Sequence, residues 1–232
     1  MRPSGPGLQV WQEGSIFATM LQMPFDRIYW INAKTATARH ILMQRYFDKV
    51  GLTDRHGNKP ERVQANTGKW VPQKVDDSKR KNRLSQSEIG CYASHYIIWK
   101  EIAQSEIGTA LILEDDCRFD LPKLEGILAN WTAMPEFEFL NFCCYNYRQV
   151  PIEKKVVHPG TGLVQGYGFW LTHCYGLSKS GAAKLVDLMT VQTNGLDHQL
   201  AMDSQKHLRT YAFAGNPAFQ IKLSSQINHT NP

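Results

Sequence analysis

Three consecutive carboxylates, Glu114, Asp115 and Asp116, close the apolar run Ala110-Leu-Ile-Leu. A run without period-2 alternation suits a central strand covered on both faces. Its break into acid marks the carboxyl end, where open α/β sheets bind ligands. If strand geometry continues through the acids, Glu114 and Asp116 share one face and Asp115 takes the other. Such a pair can hold a hard divalent cation, and a cation there can neutralise a diphosphate. The competing reading is a strand end that acids merely solvate. The buried strand in front favours the first reading, because carboxylates crowded beside a low-dielectric edge repel one another unless a cation or hydrogen bonds compensate.

A second group precedes that strand. Ser85-Gln-Ser-Glu88 has capping-box spacing, and Ile89, Tyr92, Ala93, Tyr96, Ile97 and Lys100 then follow the rhythm of an amphipathic helix. Glu88 is explained by capping. Gly90 costs about 1 kcal/mol against alanine in a helix interior, which implies close approach of a backbone or a ligand. Ser94 and His95 interrupt an apolar surface, either as a structural hydrogen-bonding pair or as substrate contacts.

The elements that must position these groups alternate. Arg27–Asn32 reads as a first strand. Residues 35–50 read as a helix with Ala38, Ile41, Leu42, Tyr46 and Val50 toward one face and Gly51 ending it. A short strand is expected at 62–65 and an exposed charged loop at 74–83. Helices are expected from Pro122 to about residue 133 and over 180–189, strands over 137–142 and 170–177, and a shorter helix from Leu196 after the Asn194-Gly195 break. This order predicts an α/β sandwich with a mostly parallel central sheet flanked by helices. No boundary for a second domain is visible, so residues 1–25 are expected to be an N-terminal extension and 26–232 a single domain.

With 232 residues, 42% of them hydrophobic, the chain has ample material for a core. A net charge of +5 suits an anionic ligand such as a nucleotide diphosphate and falls short of a nucleic-acid signature. Cysteines at 91, 117, 143, 144 and 174 form no CxxC pair and no zinc-site spacing, so free thiols in a reducing compartment are expected. The partly apolar stretch 16–25 is interrupted by Thr19, Gln22 and Pro24, and no run approaches the roughly 20 apolar residues of a membrane span. A cytoplasmic protein without a transmembrane segment is expected.

The run from Leu84 through Glu-Ile-Gly-Cys-Tyr-Ala-Ser-His to Trp99, followed by Ala110-Leu-Ile-Leu-Glu-Asp-Asp116, resembles the signature of glycosyltransferase family 25. That family includes lipooligosaccharide galactosyltransferases and relatives of the collagen galactosyltransferases. The resemblance extends to Arg27–Asn32 with Arg39, to Thr172-His-Cys-Tyr-Gly-Leu-Ser, and to Leu196-Asp-His. It implies a GT-A-like fold, a UDP-sugar donor, and inverting transfer assisted by Mn2+ or Mg2+. On the same ground Asp116 would bind the metal, with Glu114 beside it toward metal-bound water or ribose and Asp115 an alternative ligand. Ile31, Asn32 and Ala33 would border the nucleoside, Ala65 and Asn66 would add another wall, and Gly90, Ser94 and His95 would complete the donor site. Arg39 would contact phosphate, or else face solvent on its helix.

An inverting transfer needs a base for the acceptor hydroxyl. The resemblance places an acid at Asp197, on a helix start where a capping role is the alternative; Asp203 and His198 are the further candidates. His173 and His229 could complete a metal site. The segment Ser224-Ser-Gln-Ile departs from the family pattern, with Gln226 standing where relatives often carry an acid. The implied activity moves galactose or glucose to a hydroxyl of a glycan such as lipopolysaccharide. The alternatives are a hydroxylated protein or hydroxymethylated nucleic acid as acceptor, with Lys79-Arg-Lys-Asn-Arg83 tracking polymer charge, or a noncatalytic sugar-nucleotide-binding protein.

Overall fold

The computed structural model describes residues 20–143, 145–146 and 155–221. Eight strands form one sheet: β1 (Arg27–Asn32), β2 (Glu61–Gln64), β3 (Thr109–Glu114), β4 (Phe139–Asn141), β5 (Lys155–His158), β6 (Leu163–Gln165), β7 (Cys174–Ser178) and β8 (Thr210–Phe213). Their spatial order is β2-β1-β3-β7-β4-β8-β6-β5. The helices are α1 (Thr37–Val50), α2 (Gln86–Gln104), α3 (Leu121–Ala129), α4 (Lys179–Leu188) and α5 (Leu196–Gln199).

The α/β sandwich is as expected, but the sheet is mixed in direction. β1 runs parallel to β2 and β3, and β4 parallel to β8, whereas β7 is antiparallel to both β3 and β4, and β6 to β5 and β8. Strand alternation still explains the apolar runs, because both faces are covered. Ile28 and Trp30 of β1 and Leu111 and Leu113 of β3 join Met43 and Phe47 of α1 and Leu124 of α3 in one core. Tyr29, Ile31, Ala110 and Ile112 join Tyr92, Trp99 and Ile102 of α2 and Leu185 of α4 in the other.

Several elements depart from the sequence expectation. Leu21, Met23 and Phe25 are buried in the first core and Gln22 bridges to Thr53, so residues 20–25 pack with the sheet; a reading by hydropathy alone misses them because the buried residues alternate with polar ones. Helix α1 ends at Gly51, whose φ of 58° supplies a left-handed cap, but it buries Met43, Phe47 and Val50 and leaves Ile41 and Leu42 exposed. β2 begins one residue earlier than expected, and α2 runs four residues beyond Lys100. Within the charged stretch 74–83, Lys74–Val75 pairs in parallel with Val191–Gln192. Cys117–Phe119, not foreseen, pairs with Ala218–Gln220 and holds the chain just after the acids.

The expected strand at 170–177 is broken in two. Phe169–Trp170 pairs elsewhere, Leu171 turns at φ 77°, and β7 begins at Cys174. Asn141 Nδ2 donates to the carbonyl oxygens of Trp170 and Leu171 and holds this turn, an uncommon conformation for leucine. Thr172 and His173 are thereby delivered to the edge of the site. The four described cysteines, 91, 117, 143 and 174, are unpaired thiols. Among the described residues no helix is long and apolar enough to cross a membrane.

Candidate active site

The alternation that builds β3 also divides its acids. Glu114 continues the α2 face, and Asp115 turns to the α1 side. A cavity of about 710 Å³ opens at this strand end, lined by Glu114, Asp116, Thr172, His173, Asp197 and Cys91, with Arg80, Glu88, Asn194 and Gln220 also contributing. Its size falls within the range of small-molecule sites.

On the α1 side, Arg39 Nη2 lies 2.6 Å from Asp115 Oδ1 and 2.6 Å from Asp116 Oδ2. Asn32 Nδ2 donates to Asp115 Oδ2 at 2.6 Å, and Gln220 Nε2 donates to Asp116 Oδ2 at 2.8 Å. A guanidinium and two amides thus hold the two aspartates on this side. Burial nevertheless pushes both aspartates up, outweighing Arg39. Asp116 Oδ1 is buried with no hydrogen-bond partner among the described residues, and so is His173 Nε2. Burial lowers the His173 pKa against the pull of Glu114 and Asp116, which keeps the imidazole neutral and able to ligate.

On the α2 side, Trp99 Nε1 donates to the Tyr175 hydroxyl at 2.8 Å, and that hydroxyl shares a 2.8 Å hydrogen bond with His95 Nδ1. His95 Nε2 faces Glu114 Oε1 at 3.4 Å, off hydrogen-bond alignment. Thr172 Oγ1 lies 2.9 Å from Glu114 Oε1 and 2.7 Å from Asp197 Oδ1. Burial would raise Glu114, but His95, and behind it His173 and Thr172, hold it below the usual range. Asp197 is pushed up to about 6, first by burial and then by Glu114. Two neighbouring carboxylates displaced in opposite directions are the usual arrangement of an acid–base pair.

The structure therefore brings together Glu114, Asp116, His173 and Asp197, with His95 one layer behind. Ile31, Asn32, Ala33, Arg39, Ala65, Asn66, Gly90, Ser94 and Asp115 do not line the cavity. A Cβ on Gly90 would stand 2.4 Å from the Asn66 carbonyl oxygen, so its close approach is to backbone. Ser94 Oγ accepts from the Asn66 backbone N–H at 2.8 Å and donates to the Gly90 carbonyl at 2.7 Å, tying the end of β2 to α2. These contacts join both residues to the chain just after β2. Glu88 fills its capping role and also reaches the cavity. Of the basic stretch, Arg80 bonds Asn194 and lies 3.6 Å from Glu88, and Arg83 pairs with Asp77. His198 packs edge-on against Trp170. Gln226 and His229 lie outside the described residues. Of the lining residues, Arg80 was named from sequence only within the basic stretch, Cys91 and Thr172 were carried in the motifs without a role, and Gln220 was missed.

Residues 25–204 match the family model described as Glycosyltransferase family 25 (LPS biosynthesis protein). The chain is 30% identical over 176 residues to a Glycosyltransferase 25 family member of Drosophila pseudoobscura pseudoobscura, a match covering 71% of this chain and 28% of the fly protein. It is likewise 30% identical over 176 residues to human Procollagen galactosyltransferase 2, covering 71% and 28%. A shorter match of 107 residues, 36% identical, links it to human Inactive glycosyltransferase 25 family member 3, covering 44% and 18%. The matched stretch is thus less than a third of the length of these relatives.

Proposed function

The chain belongs to glycosyltransferase family 25, and from that premise we propose that it is a metal-dependent inverting glycosyltransferase, moving galactose or glucose from a UDP-sugar to a hydroxyl of a glycan such as lipopolysaccharide. The observation that carries this reading is the convergence of Glu114, Asp116, His173 and Asp197 on one cavity at the end of β3. Residues 26–232, together with the packed segment before them, would form the single GT-A-like domain that does so.

Asp116 Oδ1 and His173 Nε2, buried and uncommitted among the described residues, fit a divalent ion such as Mn2+, which accepts both carboxylate and imidazole. When bound, such an ion supplies Lewis-acid stabilisation of the departing diphosphate. Arg39 holds Asp115 and Asp116 in place and adds positive charge on the same side. Asp197, ionised above about pH 6, takes the proton of the acceptor hydroxyl as that oxygen attacks the anomeric carbon. Glu114 belongs with Asp197 and His95, turned away from Arg39.

A second acceptor reading, a hydroxylated protein, is favoured by the name of the human procollagen galactosyltransferase relative. A nucleic-acid acceptor is less favoured, because Arg80 and Arg83 are engaged within the protein. The noncatalytic reading has the inactive relative in its support, and the base and metal candidates gathered here oppose it. The deciding experiment incubates the protein with UDP-galactose or UDP-glucose, with Mn2+ or chelator, and with either deacylated lipooligosaccharide or a hydroxylysine peptide. Metal-dependent transfer to one acceptor is expected. Nucleotide binding without UDP release or transfer would reduce the protein to a binding module.

A further inference from the structure

Thr172 is 4% exposed and sits in the break before β7, aimed by the Leu171 turn that Asn141 holds. Its oxygen is within hydrogen-bond distance of two carboxylates, 2.9 Å from Glu114 Oε1 and 2.7 Å from Asp197 Oδ1. A hydroxyl carries one proton and can donate to only one of them. With both acids ionised, one carboxylate oxygen therefore faces a lone pair with no proton between. With one proton on Asp197 both contacts become hydrogen bonds: Asp197 donates to Thr172, and Thr172 donates to Glu114. Glu114 already has His95 beside it, so Asp197 is where that proton belongs.

We propose that Thr172 is a positioning residue for the transfer reaction, its hydroxyl joining Asp197 to Glu114 in a three-group chain that accommodates one proton and so fits Asp197 to act as base. The reaction it serves rests on the glycosyltransferase reading, whereas the chain rests on the Thr172 geometry. In the step, the acceptor oxygen bonds to the anomeric carbon, and the bond from that carbon to the diphosphate oxygen breaks with its electron pair leaving on the diphosphate. The acceptor proton passes to Asp197, whose acid form then donates to Thr172 while Thr172 donates to Glu114. The titratable groups that act electrostatically with Asp197 are Glu114 from β3, His95 and Cys91 from α2, and Tyr175 from β7. None of these four is hydrogen-bonded to it among the described residues, whereas the Thr172 hydroxyl is.

The test compares wild type, Thr172→Ser and Thr172→Val. The Asp197 carboxyl is titrated by 13C NMR in the presence of chelator and assigned by the signal lost in Asp197→Asn. Kinetics follow with UDP-galactose, UDP-glucose and the two acceptors named above. The chain predicts that Thr172→Val lowers the Asp197 midpoint by about one pH unit and cuts kcat roughly ten- to a hundredfold with the donor KM unchanged. Thr172→Ser should keep both. Thr172→Ala repeats the measurement if valine disturbs folding. A midpoint that stays or rises in the hydroxyl-free variants overturns the proposal, a rise showing that Thr172 only donates to the ionised Asp197. A fall in donor affinity with kcat intact also overturns it. Absence of transfer by the wild type defeats the glycosyltransferase reading instead, and the titration still decides the chain.

Discussion

Replacing Asp197 by asparagine should make the protein more stable at neutral pH while removing its activity. Asp197 stands at about 6 against an ordinary 3.8, because burial and then Glu114 disfavour its charged form. The native state thus binds this proton more tightly than the unfolded chain does. Below about pH 4 both states are protonated and the native state keeps the full benefit. As pH rises from about 4 to 6 the unfolded chain ionises freely and the native state does not, so stability is lost across that window. A difference of about 2 pH units corresponds to at most about 3 kcal/mol. Asparagine never ionises, and its amide can donate to Thr172 while Thr172 donates to Glu114, reproducing the protonated arrangement. Asp197→Asn should therefore match wild type in urea unfolding at about pH 3 and exceed it at pH 8 by about 1–3 kcal/mol, or roughly 2–4 °C of Tm per kcal/mol for a chain of this size. Transfer should fall by about 10²–10⁴. A variant no more stable than wild type at pH 8, or equally stabilised at both pH values, would refute the reasoning that Asp197 is held in strain by its surroundings.

Three further outcomes follow from the same geometry. The kcat/KM of the wild type should rise with pH through about 6 as Asp197 ionises, and a flat profile between pH 5 and 8 would remove it as the base. Asp116→Asn and His173→Ala should each weaken Mn2+ binding at least roughly tenfold by calorimetry; unchanged binding in both would move the metal away from their open atoms. Gly90→Ala should cost about 1–3 kcal/mol in denaturant unfolding, since its Cβ would overlap the Asn66 carbonyl. Gly126→Ala in α3, with no neighbour within 4 Å of the added Cβ, should instead gain up to about 1 kcal/mol, and equal effects at the two glycines would show that contact is not the cause.

What could be read from the linear chain depended on how local its cause is. The end of β3 was legible because burial on both faces leaves an unbroken apolar run, and α2 was legible because Ser85 and Glu88 close a capping box. Strand direction was not, since a strand covered on both faces looks alike whether its neighbours are parallel or antiparallel. The face of α1 was misread because Ile41 and Leu42 are as apolar as Met43 and Phe47, and only the packed sheet decides which pair is inside. Thr172 was hidden for a sharper reason. The stretch around it reads as one strand, and the turn that exposes it to two acids belongs to a leucine at positive φ, held by an asparagine 30 residues away in the chain.

The division of charge at the end of β3 ties these pieces to the chemistry. β3 ends at Glu114, and Asp115 and Asp116 lie in the turn that follows, so the three adjacent acids do not share one environment. Asp115 and Asp116 meet Arg39 from α1, while Glu114 meets His95 from α2 and, through Thr172, Asp197. The first group sits beside a permanent positive charge and keeps a buried Asp116 oxygen uncommitted among the described residues. The second is held by the His95 ring and the Thr172 hydroxyl. A cation at Asp116 and a base at Asp197 therefore need not compete for the same carboxylate, since these side chains come from the end of β3 and from α5. Arg39 holds the two aspartates together while Asp116 Oδ1 stays uncommitted among the described residues, so the guanidinium and an ion need not exclude one another.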